Sequence, residues 1–128
     1  MPRKEVINSA KLSPGRAPLS QATRFDCIVF VQGCTGRHPT SGEVGKDIKE
    51  QTRFALDRIK TILEEAGTSL DNVLSNTCYV TRREDLAGFN EVYAEYFPDN
   101  RPARTAIIVN FGAADNLVEV TSTACIPD

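Results

Sequence analysis

The chain has 128 residues, 41% of them hydrophobic and 25% charged, and a formal net charge of −2. This is the composition of an ordinary folded protein, and the length suits a single domain spanning residues 1–128. The acidic balance argues against nucleic acid as a partner, since neutralising phosphates with Lys and Arg supplies most of that affinity, but it leaves a small carboxylate ligand open.

The N-terminal residues Met1-Pro2-Arg3-Lys4-Glu5 are too charged for a signal-peptide core. No apolar run approaches the roughly 20 residues needed to cross a bilayer, so the cytoplasm is the expected location. A short strand is expected near Glu5-Val6-Ile7-Asn8. The stretch Ser13-Pro14-Gly15-Arg16-Ala17-Pro18 cannot continue a regular element, because two prolines and a glycine break it. From Phe25 to Val31 the chain contains the run Cys27-Ile28-Val29-Phe30-Val31, which predicts a strand buried on both faces. Gly33 ends it, and turn chemistry fills Thr35 to Gly42.

The clearest helix is predicted over Asp47 to Ala66. Ile48, Thr52, Ala55, Ile59, Ile62 and Ala66 recur at spacings of four and three, widened by Leu56 and Leu63. Asp47 with Glu50 makes a capping box, and Gly67 supplies the left-handed residue after the helix. Val73 to Thr81 reads as a strand with Leu74, Cys78 and Val80 on one face. A second helix is predicted over Asp85 to Phe97, burying Leu86, Phe89, Val92 or Tyr93, and Tyr96. Two strands follow, Ala103 to Val109 and Leu117 to Ile126. The order β-β-α-β-α-β-β implies an α+β fold with two helices on one face of a mixed sheet. The other face then needs a cover, and a partner subunit is the natural one.

Four cysteines, Cys27, Cys34, Cys78 and Cys125, are widely spaced, and His38 is the lone histidine. No metal motif can be assembled from such spacing. Buried free thiols in a reducing compartment are expected.

Two residues stand out chemically. Arg104 begins a strand and shares a face with Ala106 and Ile108. A guanidinium among small and apolar residues needs an anion, and it holds a carboxylate through two parallel hydrogen bonds. The plain alternative is a salt bridge at the strand end. Glu119, inside Leu117-Val118-Glu119-Val120, could position or deprotonate a water; by alternation it could equally face solvent. Asn90 in the second helix and Gly33 at a strand end are weaker candidates.

In combination these residues resemble the RidA family, also called YjgF-like or reactive intermediate deaminases. The resemblance rests on Gly42-Glu43, on Asp47-Ile48 with Glu50-Gln51-Thr52-Arg53, on Asn90 through Phe97, on Pro102-Ala103-Arg104 and on Leu117-Val118-Glu119-Val120, and it covers nearly the whole chain. It implies a chorismate-mutase-like α+β fold, a homotrimer with active sites between subunits, hydrolysis of enamines and imines such as 2-aminoacrylate to a keto acid and ammonia, and no cofactor. It casts Arg104 as the carboxylate clamp, Glu119 as the residue positioning water with the Ala106 carbonyl, and Asn90 and Gly33 as lining the site. The pocket wall departs from the family: Leu19 stands where a Tyr is common, Gln32-Gly33-Cys34 replaces Ser-Gly-Gln, and Ala106 replaces a frequent Cys. These changes touch substrate choice more than reaction type. A catabolic enzyme resembling 2-aminomuconate deaminase is the near alternative. A non-catalytic small-carboxylate binder is a further one, and an RNA-directed protein is disfavoured by charge.

Overall fold

The computed structural model describes residues 1–128. Its strands are β1 (Glu5–Ile7), β2 (Ala22–Phe25), β3 (Ile28–Val31), β4 (Cys34–Thr35), β5 (Val73–Val80), β6 (Ala103–Ile108) and β7 (Val118–Cys125), with helices α1 (Ile48–Glu65) and α2 (Leu86–Tyr96). All seven strands join one sheet in the order β1-β2-β3-β7-β5-β6, with β4 also on β7. The β5–β6 pair is parallel, as the crossover through α2 requires, and the other pairs are antiparallel. This is the α+β arrangement expected, two helices on a mixed sheet.

Both helices form where the periodicity places them. The Asp47 carboxylate accepts a hydrogen bond from the Glu50 amide at 2.9 Å. The reciprocal bond is displaced by one residue: Glu50 Oε1 accepts from the amide of Lys46, not Asp47. Gly67 takes φ +87° after the helix. Ala55, Leu56, Ile59, Ile62 and Leu63 from α1 and Phe89 and Tyr93 from α2 meet Val29, Val31, Cys78, Val80, Val118 and Val120 of the sheet in one core.

Three details differ from expectation. The run from Phe25 to Val31 is not one strand but the β2–β3 hairpin, turned at Asp26 and Cys27 with Asp26 in the left-handed region (φ 55°). Only one face of β3 is buried: Val29 and Val31 point inward while Phe30 is half exposed. Four strands therefore precede α1, not two, and Cys27 is exposed at the hairpin tip. In β5 the register shifts between Val73 and Ser75, which turns Leu74 outward and buries Val73 and Asn76 with Cys78 and Val80. All four cysteines are free, with Cys34 and Cys78 buried.

A buried glutamine ties the loops to this frame. Gln51 Nε2 donates to the carbonyls of Gly45 (3.1 Å) and Asp115 (2.9 Å), and its Oε1 accepts from the Leu117 amide (2.9 Å). It thus anchors both the loop before α1 and the loop leading into β7. The face of the sheet away from the helices carries Phe30 and Ile107, both about half exposed. Strand β6 is exposed along its whole length.

Candidate active site

The sheet register decides which candidate residues meet. Ser122, Asn76 and Arg104 lie in one row across β7, β5 and β6, and Val120, Cys78 and Ala106 in the next. Val120 and Cys78 belong to the helix-side core, so Arg104 and Ala106 face α2. The Arg104 guanidinium carbon stands 4.9 Å from the Tyr93 ring centre and 5.5 Å from that of Phe89. Both are cation–π distances. Arg104 joins none of the chain's ion pairs, so the salt-bridge alternative is not realised within the chain. It lines a cleft of ≈ 400 Å³ with Asn90, Tyr93, Ala94, Arg101 and Pro102. This lining holds two arginines and no carboxylate.

The aromatic shelf is fixed from beneath. Ser122 Oγ donates to Asn76 Oδ1, and Asn76 Nδ2 donates to the Tyr93 hydroxyl at 2.9 Å. Burial holds the Tyr93 hydroxyl above the usual phenol range, with the Asn76 bond opposing. Periodicity marks Phe89 and Tyr93 only as core positions of α2, so their second role as the shelf under Arg104 is not visible before the register is known. Arg101 sits beyond the helix end with no periodic signal at all.

Glu119 belongs to the other face. Its neighbours Val118 and Val120 are fully buried on the helix side, and Glu119 itself is half-buried, in one row with Thr35, Tyr79 and Ile107. Desolvation raises its carboxyl above the ordinary carboxylate range. It pairs with no cation.

Gly33 lies directly beneath it. Strands β3 and β4 follow one another along β7, but the register moves by one residue between Phe30↔Thr123 and Cys34↔Val120. The irregularity falls at Gln32 and Gly33, as bulges beside functional sites often do. A Cβ on Gly33 would overlap Glu119 Oε2 and lie 2.8 Å from its carboxyl carbon. The glycine is what leaves room for that carboxylate. Gln32 and the exposed Leu19 line a neighbouring cavity of ≈ 460 Å³ that also contains Gln21 and Arg58.

Cys34 does not join this wall. Its side chain is 1% exposed and turned into the core, where burial pushes the thiol up to about 12 despite the nearby Arg58. The expectation that Cys34 lines the pocket is corrected accordingly: opposite Val120 it faces the helices, not Glu119. The candidate residues thus form two groups on opposite faces of one sheet. Arg104, Ala106 and Asn90 make one; Glu119, Gly33, Gln32 and Leu19 make the other. The Glu119 and Ala106 side chains point to opposite faces, and strand β5 lies between β7 and β6.

A small α+β protein with an unpaired arginine cleft on one sheet face and a lone, half-buried carboxylate over a glycine bulge on the other is the class that the fold and site define. Residues 10–126 match the endoribonuclease L-PSP family, and the chain belongs to this family, the RidA/YjgF group its motifs resemble. A RutC family protein of Pyrococcus abyssi is 43% identical over 122 residues, covering 94% of this chain and 96% of that one. The 3-aminoacrylate deaminase RutC of Acinetobacter baylyi is 39% identical over 94% of this chain and 97% of its own. Among solved structures, RidA from an Antarctic Psychrobacter superposes with a TM-score of 0.90 at 30% identity, covering 95% of this chain and 99% of that one. E. coli TdcF with bound serine superposes with a TM-score of 0.88 at 27% identity, covering 94% and 98%. No helix of the chain is long and apolar enough to cross a membrane.

Proposed function

We propose that the chain is an enamine/imine deaminase acting on small 2-imino acids, with each site assembled between two copies of the chain. The observation that carries this reading is the separation just described. Arg104 on its aromatic shelf and Glu119 over Gly33 are both without ionic partners, and they complete one site only if the helix-side cleft of one copy faces the open sheet face of another. The exposed strand β6 and the apolar residues Phe30 and Ile107 on that open face support such an assembly. A homotrimer closes this head-to-tail contact.

In the proposed reaction Arg104 grips the substrate carboxylate with its two-pronged fork, while Asn90 borders the same cleft and Ala106 follows two residues along β6. Glu119 of the other copy takes a proton from water as the oxygen attacks the C=N carbon, and the imine nitrogen is protonated. Glu119 then takes the hydroxyl proton of the resulting carbinolamine and a proton is delivered to its nitrogen, so that the C–N bond breaks, ammonia leaves and the C=O of the keto acid forms. Water and imine are consumed, and keto acid and ammonia are released. The raised proton affinity of Glu119 suits a group that takes a proton and then returns it. An imine is already reactive, so holding it beside water supplies much of the acceleration. The deaminase relative supports this reaction class.

The test is ammonia release from 2-iminopropanoate generated in situ. Arg104→Ala should lower kcat/KM by about 100-fold, the loss of a charged two-pronged contact. Full activity in that variant refutes the clamp. Tight keto-acid binding by a wild-type chain that releases no ammonia supports a binding protein instead.

A further inference from the structure

We infer that the Glu119 half of the site continues into a second anion subsite built from Arg16, Arg37 and Arg58, so that the substrate is an imino acid carrying a second acidic group at its far end. This rests on the deaminase reading above for the identity of the reacting end. The subsite itself is argued from the cavities.

The cavity lined by Leu19, Gln21 and Gln32 runs to Ser13, Pro14, Gly15 and Arg58. These last four residues also line a second cavity of ≈ 500 Å³, closed by Arg16, Arg37, Ser41 and Gly42. The two cavities are therefore continuous past Arg58. One end is lined by Gln32 of the glycine bulge; the other is lined by Arg16, Arg37 and Arg58. Not one carboxylate lines either cavity, in a chain whose net charge is −2. The contrast with the cavity beside α1 is direct: there Arg53 and Lys60 are accompanied by Glu64, Asp71 and Glu95.

None of the three arginines is neutralised. They take part in no ion pair. Arg58 makes long bonds to neutral acceptors, Ser13 Oγ at 3.3 Å and the carbonyls of His38 and Ser13 at 3.5 Å, and lies beside the Cys34 thiol. Arg37 donates one bond to the Gly42 carbonyl at 3.2 Å. Three like charges converging on one cavity repel each other, and an anion of the right size relieves that repulsion. Arg58 comes from α1, so its position is set by a rigid element, while Arg16 and Arg37 reach in from the loops on either side. A carboxylate is the group that fits a substrate already gripped by Arg104 at its other end. The dicarboxylic 2-aminomuconate type of substrate has this pattern of charge.

Stable keto acids test the subsite without turnover. Calorimetric titration of the full chain compares the dianions 2-oxoglutarate and 2-oxoadipate with the monoanions 2-oxobutanoate and 2-oxohexanoate. The better dianion should bind at least about tenfold more tightly than its monoanionic counterpart. In Arg16→Ala/Arg37→Ala, whose substituted side chains are exposed and carry no core contacts, that preference should collapse. Arg104→Ala should instead weaken all four ligands alike. Loss of the preference in the loop variant, with Arg104→Ala harmless, keeps the subsite and refutes the placement of the reacting end. Equal binding of dianions and monoanions by the wild type, or no binding of any of the four, overturns the subsite. So does steeply salt-dependent binding of a short RNA that both arginine substitutions abolish while keto acids are ignored.

Discussion

Gly33→Ala separates the site from the scaffold more cleanly than any other single change. Gly33 does not occupy the left-handed region, so alanine can adopt its backbone without strain. At such a position alanine gains about 0.4–1 kcal/mol by restricting the unfolded chain. Against this, its methyl group overlaps the Glu119 carboxylate, which must swing away. That carboxylate is the far end of a flexible side chain, and its burial already disfavours the charge, so the displacement costs little stability. The net change should stay within about 1 kcal/mol, a melting shift of about 4 °C or less. The catalytic effect should be large, because a displaced acid–base group forfeits about 10²-fold or more. Gly36→Ala makes the opposite control. Its methyl would overlap Gln51 Cβ, next to the backbone of α1 and fully buried, so the helix itself must move. Overpacking of this kind costs about 1–3 kcal/mol. Thermal melting paired with ammonia release from 2-iminopropanoate reads both effects. Gly33→Ala that keeps activity within about threefold of wild type would refute the role given to Glu119.

Other expectations follow from the same contacts. Gln51→Ala removes three hydrogen bonds and strands the partners of a buried side chain; at about 1 kcal/mol each, urea unfolding should show a loss of about 3 kcal/mol. Burial pushes the Cys34 and Cys78 thiols up to about 12, so both remain protonated at neutral pH. Iodoacetamide followed by mass spectrometry should label the exposed Cys27 first and leave Cys34 and Cys78 untouched until the chain unfolds. Glu119 binds its proton more tightly folded than unfolded. It therefore favours the folded chain below its unfolded pKa, and that contribution disappears as pH rises through the raised folded value. Melting temperatures measured from pH 4 to 8 should show Glu119→Gln no less stable than wild type at neutral pH and relatively less favoured at acid pH. A variant that is destabilised only at neutral pH would reverse the sign and refute the desolvation argument.

The helices were legible because their signals are local. Alternating spacings of three and four, an aspartate cap and a terminal glycine all lie within a few residues of one another. The β2–β3 hairpin was hidden because an apolar run conceals it and its only turn signal is Asp26, a residue that tolerates the left-handed region without announcing it. The bulge that turns Leu74 outward has no residue signature either. For the site, the motif around Arg104 could be read directly, but not its face relative to Glu119. Parity within a strand says which residues share a side; which sides of β6 and β7 agree depends on the parallel register to β5 and the antiparallel register to β7, both set by tertiary packing. Arg58 carries no local signal for a related reason. It stands between the apolar stripe and the charged face of α1, so periodicity offered no ground for singling it out.

The row Ser122–Asn76–Arg104 shows why this core carries polar groups at all. Aliphatic side chains at 122 and 76 would fill the same space without any need for hydrogen-bond partners, and a buried polar pair is costly unless every atom is satisfied. Here every buried side-chain polar atom has a partner. What the pair adds is orientation. Ser122 fixes the Asn76 amide, Asn76 fixes the Tyr93 hydroxyl, and a ring held at its hydroxyl end cannot tilt. Arg104 sits on an exposed edge strand, where a free guanidinium would sample many rotamers. Resting on a fixed ring, with Phe89 beside it, the guanidinium is restricted before any ligand arrives. Less conformational entropy is then lost on gripping a carboxylate, which is how buried side chains that never touch a ligand come to set its affinity.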